Sequence, residues 1–336
     1  MSTASTQPPS PQAWADLILG AADAAATWEA IFARLRDLAL SNPGAAKIHN
    51  ETIAPDRLLA DSAWDLWQDF PRCAPTVIAE LKKFWVSPGA AGTAVLVLDA
   101  LSLRELPLIV SAGQSRGLVP VRAEVRGAEV PTETDRFAEA LGLPGRSKLY
   151  NNKAPASFVF AGPDVHTDLL ESPFADCVSS IPVVPRLFVW HKWPDEPLIH
   201  LYEEQKDGPV VVAAQTKKEL NGDGFWALVD RLRQGRRLVI TGDHGYADTN
   251  SFSNEEKNED TVKLLRSFFG ASRCVKDDPA KPWPRQHLPP LACRHNGWLV
   301  VMGQRKWSVQ GNFPKLCHRG LSLLEAAVPV IEYAAK

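Results

Sequence analysis

The sequence has little of what several classes of protein require. Its 336 residues contain five cysteines and no CxxC pair, and the odd number leaves one thiol unpaired in any pairing scheme. This argues against a disulfide scaffold and predicts a reducing, cytoplasmic compartment. The longest apolar runs, such as residues 210–214, are far shorter than the roughly 18 residues of a membrane span. We therefore predict no membrane insertion.

No excess of one charge is present either. The chain has 37 lysines and arginines against 39 aspartates and glutamates, a net charge of −2, so no global positive field would hold nucleic acid or anionic lipid. The first twelve residues lack the basic and apolar parts of a signal peptide and predict a disordered tail. No G-x-G-x-x-G follows the strand that ends at Asp99, which disfavours a nucleotide-binding Rossmann domain.

The chain nevertheless has the composition of a folded globular protein, with 45% hydrophobic and 23% charged residues. Apolar side chains recur at helical spacing in the segment 13–88, for example at Trp28, Ile31, Phe32 and Leu35. We therefore predict an N-terminal helical region there, followed by a second region over residues 89–336.

Short apolar runs alternate with amphipathic stretches in the second region, which predicts a mostly parallel α/β sheet flanked by helices. The predicted strands are residues 94–98, 118–125, 186–190, 210–214 and 237–241, and the last two enclose a crossover helix around Phe225–Leu232. The proline-rich residues 276–290 predict a surface loop. A hairpin is predicted after it, from residues 298–302 and 306–309.

Two predicted strands end in acidic residues. Asp99 ends one, and Asp243 and His244 follow another, directly before Gly245. Ligands of open α/β sheets bind at the carboxyl edge, and a carboxylate beside an imidazole suits a cation. Each residue also has a simpler interpretation, because aspartates at strand ends often cap helices or form turns. The residues alone leave both interpretations open.

Four segments together resemble the PglZ domain family of the alkaline phosphatase superfamily. They are VLVLDALSLRELP, VPTETDRFAEALGLPG, VITGDHG and CHRGLSLLEAAVP, and they span about residues 90–335 in the family's order. The resemblance implies an alkaline-phosphatase-like sheet in the region 89–336 and two divalent metal ions, zinc most readily and manganese as the alternative. It also implies that Thr134 is the nucleophile, because the family uses the second threonine of PTxT. Thr132 and Ser102 are the competing hydroxyls, and Ser102 with Glu105 also has the form of a capping box.

The same resemblance implies the metal ligands. Asp99, Thr134, Asp243 and His244 would hold the first ion, and Asp195, His200 and His318 the second. Two departures from the family pattern affect the second site. Four residues separate Asp195 from His200 where three are usual, which leaves His191 as a substitute ligand, and Arg319 replaces a glycine after His318.

The implied activity is hydrolysis of a phosphoric ester through a phosphothreonine, with diesters favoured over monoesters. The substrate class is a phosphate ester, with a nucleotide or nucleic acid among the candidates. PglZ domains are associated with bacterial defence against phage, in BREX-type systems with methyltransferases and ATPases, so the resemblance also implies defence-system partners. The alternative function is a binding or scaffolding module of the same fold that has reduced catalysis, which the altered Asp195–His200 spacing favours.

Overall fold

The structure is a computed structural model that describes residues 11–42, 44–86, 92–195, 202, 208–254, 259–284 and 289–336. Five helices come first along the chain: α1 (Pro11–Gly20), α2 (Ala24–Leu40), α3 (Ala45–Asp61), α4 (Trp64–Cys73) and α5 (Val77–Val86). All five helices lie within residues 11–86. The predicted tail, residues 1–12, falls almost entirely outside the described residues.

Helices and strands alternate through the rest of the chain. The helices are α6 (Leu106–Ser115), α7 (Thr134–Ala140), α8 (Phe174–Cys177), α9 (Gly208–Asn221), α10 (Asp223–Arg233), α11 (Glu259–Phe269) and α12 (Leu323–Ala326). The strands of the main sheet are β1 (Gly92–Asp99), β2 (Arg122–Gly127), β3 (Val165–Leu170), β4 (Arg186–Pro194), β5 (Arg236–Gly242) and β13 (Ala327–Tyr333). Shorter strands lie between the last two: β6 (Ala247–Asp248), β7 (Ser253–Asn254), β8 (Cys274–Lys276), β9 (Ala292–His295), β10 (Trp298–Val301), β11 (Arg305–Lys306) and β12 (Leu316–Cys317).

The main sheet has the order β2-β13-β5-β1-β4-β3. Strand β1 pairs in parallel with β4 and β5, and β3 pairs in parallel with β4, whereas β13 runs antiparallel to its neighbours β2 and β5. The predicted α/β class, a mostly parallel sheet flanked by helices, is therefore confirmed.

Strand β1 is buried on both sides, because its side chains alternate between two apolar cores. Ala94, Leu96 and Leu98 pack in the core that contains side chains of α2, α6 and α10. Val95 and Val97 pack in the core that contains side chains of α5 and α7. Helices of the N-terminal region thus cover both faces of the sheet, and the division of the chain at residue 88 stays a prediction.

Three of the predicted strands are confirmed closely, at β1, β4 and β5, and the crossover helix is α10. The predicted strand 118–125 begins later, at Arg122. The predicted strand 210–214 is wrong, because these residues lie in α9. That helix buries Val212, Thr216 and Leu220 at helical spacing, and a short apolar run does not distinguish a strand from a buried helix turn.

The predicted hairpin has the wrong partner. Residues 298–301 pair with β9, across a turn in which Asn296 and Gly297 both have positive φ, 45° and 77°. Two such residues suit a tight hairpin turn. Lys306 instead belongs to β11, which pairs with β7.

Two predictions from composition concern the cysteines and the absence of membrane insertion. All five cysteines lie in the described ranges, and each is a free thiol. Among the described helices, none combines the length and the apolar character needed to cross a bilayer.

A buried carboxyl ties the N-terminal helices to the last part of the chain. Asp56 of α3 accepts hydrogen bonds from the Leu323 backbone N–H at 2.9 Å and from Gln304 Nε2 at 2.8 Å. Burial raises the pKa of Asp56 to about 8, although these hydrogen bonds act in the opposite direction, and the nearby charges of Glu325 and Arg273 have smaller effects. The folded protein therefore retains the Asp56 proton at pH values where the unfolded chain has lost it.

This proton gives a prediction for the pH dependence of stability. Between the unfolded pKa near 4 and the folded pKa of about 8, the native state binds more protons, so Asp56 makes the free energy of unfolding fall as pH rises. Asp56→Asn removes this contribution. We expect the stability of the variant relative to wild type to increase from pH 5 to pH 8 in urea unfolding. Asp61→Asn, on the same helix with a half-exposed carboxylate, is the control, and an Asp56→Asn difference that stays constant with pH would contradict the assignment.

Candidate active site

Three predicted ligands meet at the carboxyl edge of the sheet. Asp99 is the last residue of β1, and Asp243 and His244 directly follow the neighbouring parallel strand β5. All three are buried, with no more than 1% of each residue exposed. One ligand atom from each lies within 4.8 Å of the others. The structure therefore brings these three residues together, whereas their role as metal ligands stays a prediction.

The two oxygens of Asp243 have different surroundings. Oδ1 accepts hydrogen bonds from the backbone N–H of Ala100 at 2.8 Å and of His244 at 3.0 Å. Ala100 has a φ of 59°, a left-handed conformation that costs an L-residue roughly 1–2 kcal/mol. Oδ2 is buried and has no hydrogen-bond donor among the described residues. An acceptor oxygen that is buried without a donor fits a bound cation.

The ring of His244 is oriented by the chain itself. Its Nδ1 lies 2.9 Å from the carbonyl oxygen of Gly245, which can only accept, so Nδ1 carries the proton. Nε2 then faces Asp243 Oδ2 at 3.5 Å and Asp99 Oδ1 at 3.9 Å. A backbone carbonyl that fixes the tautomer of a histidine in this way is typical of metal-binding imidazoles.

The glycine after His244 is required by its surroundings. A Cβ atom on Gly245 would lie 2.2 Å from the carbonyl oxygen of Leu324, which is too close for any other residue. The backbone N–H of Gly245 donates to the carbonyl oxygen of Glu325 at 2.9 Å. The turn that carries Asp243 and His244 is therefore held against α12.

The two threonines of the segment PTET have separate roles. The Thr134 hydroxyl, at the start of α7, donates to Asp99 Oδ1 at 3.2 Å and lies 3.4 Å from His244 Nε2. The hydroxyl of Thr132 is fully buried and donates to the carbonyl oxygen of Gly320 at 2.9 Å. Only Thr134 is partly exposed and directed at the buried cluster, so the geometry favours it over Thr132. Its role as nucleophile stays a prediction.

The third hydroxyl, that of Ser102, forms a hydrogen bond with a residue close to it in the sequence. It donates to Glu105 Oε2 at 2.6 Å, and the same oxygen accepts the backbone N–H of Ser102 at 2.8 Å. Only half of a capping box is formed before α6, because the Glu105 backbone N–H donates to the carbonyl oxygen of Ser102 and not to its hydroxyl. Ser322 and Glu325 have the same spacing, but Ser322, which precedes α12, makes no capping hydrogen bond through its side chain. Helix α12 has four residues and leads directly into β13.

The buried charges of the site change one another's pKa values. Burial raises the pKa of Asp99 well above its usual value, and the negative charges of Asp243 and Asp195 raise it further, while Arg146 opposes them. Burial lowers the pKa of His244, but the charges of Asp243, Asp195 and Asp99 outweigh burial and raise it. The oxygen and imidazole donors and their combined negative charge fit a divalent cation such as zinc or manganese.

The predicted ligand His318 lies against this cluster. Its ring stacks on the ring of His244, with 4.5 Å between the centroids and 17° between the planes. Its Nδ1 lies 3.2 Å from the carbonyl oxygen of Thr132. Arg319, which follows it, has a φ of 80°, so the arginine adopts the backbone conformation expected of the glycine that it replaces. Its guanidinium pairs with Glu133 at 3.2 Å.

A buried ion pair supports the turn after His318. Arg273 bonds to both oxygens of Glu325, at 2.8 and 2.9 Å, and neither residue is more than 1% exposed. Glu325 Oε1 also accepts the backbone N–H of Gly320 at 2.9 Å. A Cβ atom on Gly320 would lie 2.2 Å from Arg273 Nε, so only glycine permits this approach.

The second predicted metal site is represented by two of its three residues. Asp195 directly follows β4, and the pairing of β4 with β1 contains a bulge that places Pro194 opposite Asp99. Asp195 and His318 line one small cavity of about 10 Å³. Neither belongs to the group whose ligand atoms converge among the described residues. His200 lies outside the described residues, so its role stays a prediction.

The substitute ligand His191 is bonded elsewhere. Its Nε2 lies 2.9 Å from the carbonyl oxygen of Ser172, and its Nδ1 accepts the backbone N–H of Trp193 at 3.0 Å. Burial lowers its pKa to about 4, and the Ser172 contact opposes this. With both ring nitrogens occupied, His191 is not available as a ligand in this arrangement.

Sequence reasoning missed one charged residue of the site. Arg146 begins the 3₁₀ helix Arg146–Asn152, and its guanidinium Nη1 forms an ion pair with Asp99 Oδ2. No periodicity or motif singles out this arginine in the segment after α7. Only the fold brings it to Asp99.

Comparisons with known proteins give no family assignment. No family model matches the chain, and no curated protein matches it. An inactive variant of murine ectonucleotide pyrophosphatase/phosphodiesterase 5, in complex with AMP, is similar in structure at 11% identity, over 73% of this chain and 88% of that one, with a TM-score of 0.39. Phosphonoacetate hydrolase from Sinorhizobium meliloti 1021, in complex with phosphonoformate, is similar at 12% identity, over 74% of this chain and 91% of that one, with the same TM-score. Both scores are below 0.5, so neither likeness bears on the function.

The contrast between the two threonines can be tested by stability alone. Thr132→Val leaves the buried carbonyl of Gly320 without its donor, so we expect the free energy of unfolding to fall by about 1–3 kcal/mol. Thr132→Ser keeps the hydroxyl and should lose less. Thr134→Val, at a partly exposed position, should change stability less than Thr132→Val in chemical denaturation. The reverse order would show that the hydrogen bond from Thr132 to Gly320 is not a structural contact.

Proposed function

We propose that this chain is a metal-dependent hydrolase of phosphoric esters, of the PglZ type in the alkaline phosphatase superfamily, with Thr134 as its nucleophile. The observation that supports it most is the position of the Thr134 hydroxyl, 3.2 Å from Asp99 Oδ1 and 3.4 Å from His244 Nε2. A partly exposed hydroxyl at the rim of a buried cluster of carboxylates and imidazole can receive a substrate from solvent.

Asp99, Asp243, His244 and Thr134 would hold one divalent ion, and Asp195, His200 and His318 a second. Bound there, such ions stabilise negative charge on phosphoryl oxygens and lower the pKa of a coordinated hydroxyl. The support for the first site is the donor set itself, with an orphaned oxygen on Asp243 and a fixed tautomer on His244. The support for the second is the shared cavity of Asp195 and His318.

The protein residues orient the reacting group. Asp99 Oδ1 accepts the hydrogen bond of the Thr134 hydroxyl and sets its direction, while the adjoining buried residues exclude water from its inner side. In the first step a bond forms between Thr134 Oγ1 and phosphorus and the ester P–O bond breaks, so that the alcohol leaves with the proton that the hydroxyl gives up. Water then breaks the phosphothreonine bond and restores the hydroxyl.

A threonine nucleophile resembles the phosphodiesterase branch of the superfamily, so we favour diesters over monoesters. Nucleotides and nucleic acids are the natural candidates for such a substrate. The setting in bacterial defence against phage, with other proteins of a BREX-type system, rests only on the four segments that resemble PglZ domains.

A binding or scaffolding module with reduced catalysis is the second candidate. The ion pair between Arg146 and Asp99 favours it, because an arginine already supplies a positive charge to a predicted metal ligand. Metal content separates the two functions, since two ions per chain support the hydrolase and one or none supports the module.

The nucleophile can be tested with a chromogenic diester and monoester. We expect Thr134→Ala to lower turnover roughly 10³-fold or more, because the attacking oxygen is lost, while the melting temperature stays near that of wild type. Thr134→Ser keeps a hydroxyl and should retain part of the rate. Thr132→Ser is the control in the same segment. Near-normal turnover by Thr134→Ala would show that another group attacks phosphorus.

The metal requirement can be tested by removal and replacement. A strong chelator should abolish hydrolysis, and zinc or manganese should restore it, because the threonine hydroxyl is a poor nucleophile at neutral pH unless a bound cation lowers its pKa. We expect His318→Ala to hold one ion fewer than wild type by elemental analysis and to lose most of its rate. His191→Gln, at the histidine bonded to Ser172, is the control and should keep the wild-type metal content. Persistent hydrolysis by metal-free protein would rule out this mechanism.

A further inference from the structure

A cavity of about 610 Å³ lies between the beginnings of α3 and α6 and one side of α9. Small-molecule sites in proteins usually have volumes of roughly 300–1,000 Å³. Tyr246 lines this cavity and also the small cavity of Asp195 and His318, and no other described residue lines both. A molecule bound in the larger cavity would therefore lie apart from the candidate active site.

Aliphatic side chains of two neighbouring helices line the larger cavity. Pro107 and Leu108 belong to α6, and Val210, Val212 and Ala213 belong to α9, which packs against α6. Val210 is 70% exposed. Covering such side chains is favourable by about 25 cal/mol for each Å² of apolar surface that is removed from water. This wall therefore suits a ligand with an apolar body.

A positive charge without a carboxylate partner lies at the same cavity. Arg104 is half-buried, and its guanidinium lies over the ring of Tyr246 at 3.9 Å from the ring centroid. Its Nη2 donates to the Tyr246 carbonyl oxygen at 2.6 Å and its Nε to Ser102 Oγ at 3.4 Å. Among the described residues Arg104 forms no ion pair, and its Nη1 has no acceptor. Free guanidinium N–H groups bind carboxylate and phosphate oxygens, so Arg104 suits the anionic head of a ligand.

The two carboxylates among the described lining residues already have donors from the protein. Glu105 Oε1 accepts the Tyr246 hydroxyl at 2.9 Å, and Asp248 Oδ1 accepts a backbone N–H at 2.9 Å. Glu105 is 2% exposed and Asp248 is 9% exposed. Lys217 adds an exposed positive charge to the lining. The charged groups that are open to a ligand therefore favour an anion over a cation.

We propose that this cavity is a binding site for a small organic anion, with its acidic head at Arg104 and its apolar body between α6 and α9. An alkyl carboxylate and an alkyl phosphate share this chemistry. Helix α3 closes one side of the cavity, so the site is built by the N-terminal helices together with the segments around the sheet. Because the site uses neither Thr134 nor a metal ion, it does not depend on the proposed function.

The charge preference can be tested by calorimetry on the full chain in the presence of a strong chelator. Octanoate and octyl phosphate are the anionic probes, each used below the concentration at which it forms micelles. Octylamine has the same apolar body with the opposite charge. We expect at least one anion to bind about tenfold or more tightly than octylamine, and the tighter of the two anions identifies the preferred head.

Arg104 can be tested with the same probes. We expect Arg104→Met to weaken binding of the anion about tenfold or more, because a charge-assisted hydrogen bond is lost. Arg116→Met is the control, because Arg116 also lies over an aromatic ring, that of Trp226, but does not line the cavity. It should bind the anion as wild type does. Unchanged binding by a folded Arg104→Met would overturn the proposal.

The apolar wall can be tested by filling it. Ala213→Trp places a large side chain in the cavity and should abolish binding. Ala214→Trp adds the same side chain at an exposed neighbouring position that does not line the cavity, and it should bind the anion as wild type does. This pair also decides the proposal if Arg104→Met does not fold.

Four other results would overturn the proposal: no binding of either anion, octylamine binding as tightly as the anions, equal loss of binding in the two tryptophan variants, and binding that requires zinc. The last would place the anion at the candidate active site. A protein that binds an anion without metal, but hydrolyses no ester when loaded with zinc, refutes the proposed function and supports this site.

Discussion

Two buried carboxylates, those of Asp99 and Asp243, lie side by side at the ends of adjacent parallel strands, and their mutual repulsion is the constraint that shapes the surrounding structure. Backbone N–H groups offset part of it, because Ala100 and His244 both donate to Asp243 Oδ1. The left-handed conformation of Ala100 is one local cost of this arrangement. Arg146 supplies a positive charge at Asp99 Oδ2. The remaining oxygen, Asp243 Oδ2, has no donor among the described residues. A cation bound at this oxygen would therefore offset most of the remaining repulsion between the two carboxylates.

Residues 273–336 close the site through a second buried charge pair. Glu325 holds the turn after His318 with its side chain and the turn after His244 with its backbone carbonyl, and Arg273 fixes the Glu325 carboxylate. Breaking one member of such a pair leaves an uncompensated buried charge, which is far more costly than the pair is stabilising. The two turns that carry the candidate imidazoles therefore both bond to one residue, Glu325. The N-terminal helices contact the same region through Asp56.

Much of the site could be predicted because its residues lie at the ends of apolar strands. Asp99, Asp243 and His244 each follow an apolar run that predicts a strand. Because neighbouring parallel strands end at the same edge of a sheet, the sequence predicts that the three residues meet there. Arg146 could not be predicted, since its contact with Asp99 depends on how the segment after α7 packs against β3. Strand β13 was missed because the apparent helix start at Ser322 ends after four residues, where the chain joins the sheet instead. Residues 210–214 show the same limit, because tertiary burial and not the apolar run decides that they are helical.

The segment that contains Thr134 is hydrogen-bonded to the turn that contains His318. Thr132 binds the turn after His318 through both its hydroxyl and its carbonyl oxygen, which accepts the Arg319 backbone N–H at 2.9 Å and faces His318 Nδ1. Because a carbonyl oxygen only accepts, His318 carries its proton on Nδ1 and has its lone pair on Nε2, the same tautomer as His244. Burial and the neighbouring charge of His244 lower the pKa of His318 to about 4, so its ring is neutral at pH 7. In each of the two stacked imidazoles Nδ1 thus faces a backbone carbonyl oxygen, so Nε2 is the nitrogen that would bind a metal, and Thr132 links the turn after His318 to the segment that carries Thr134.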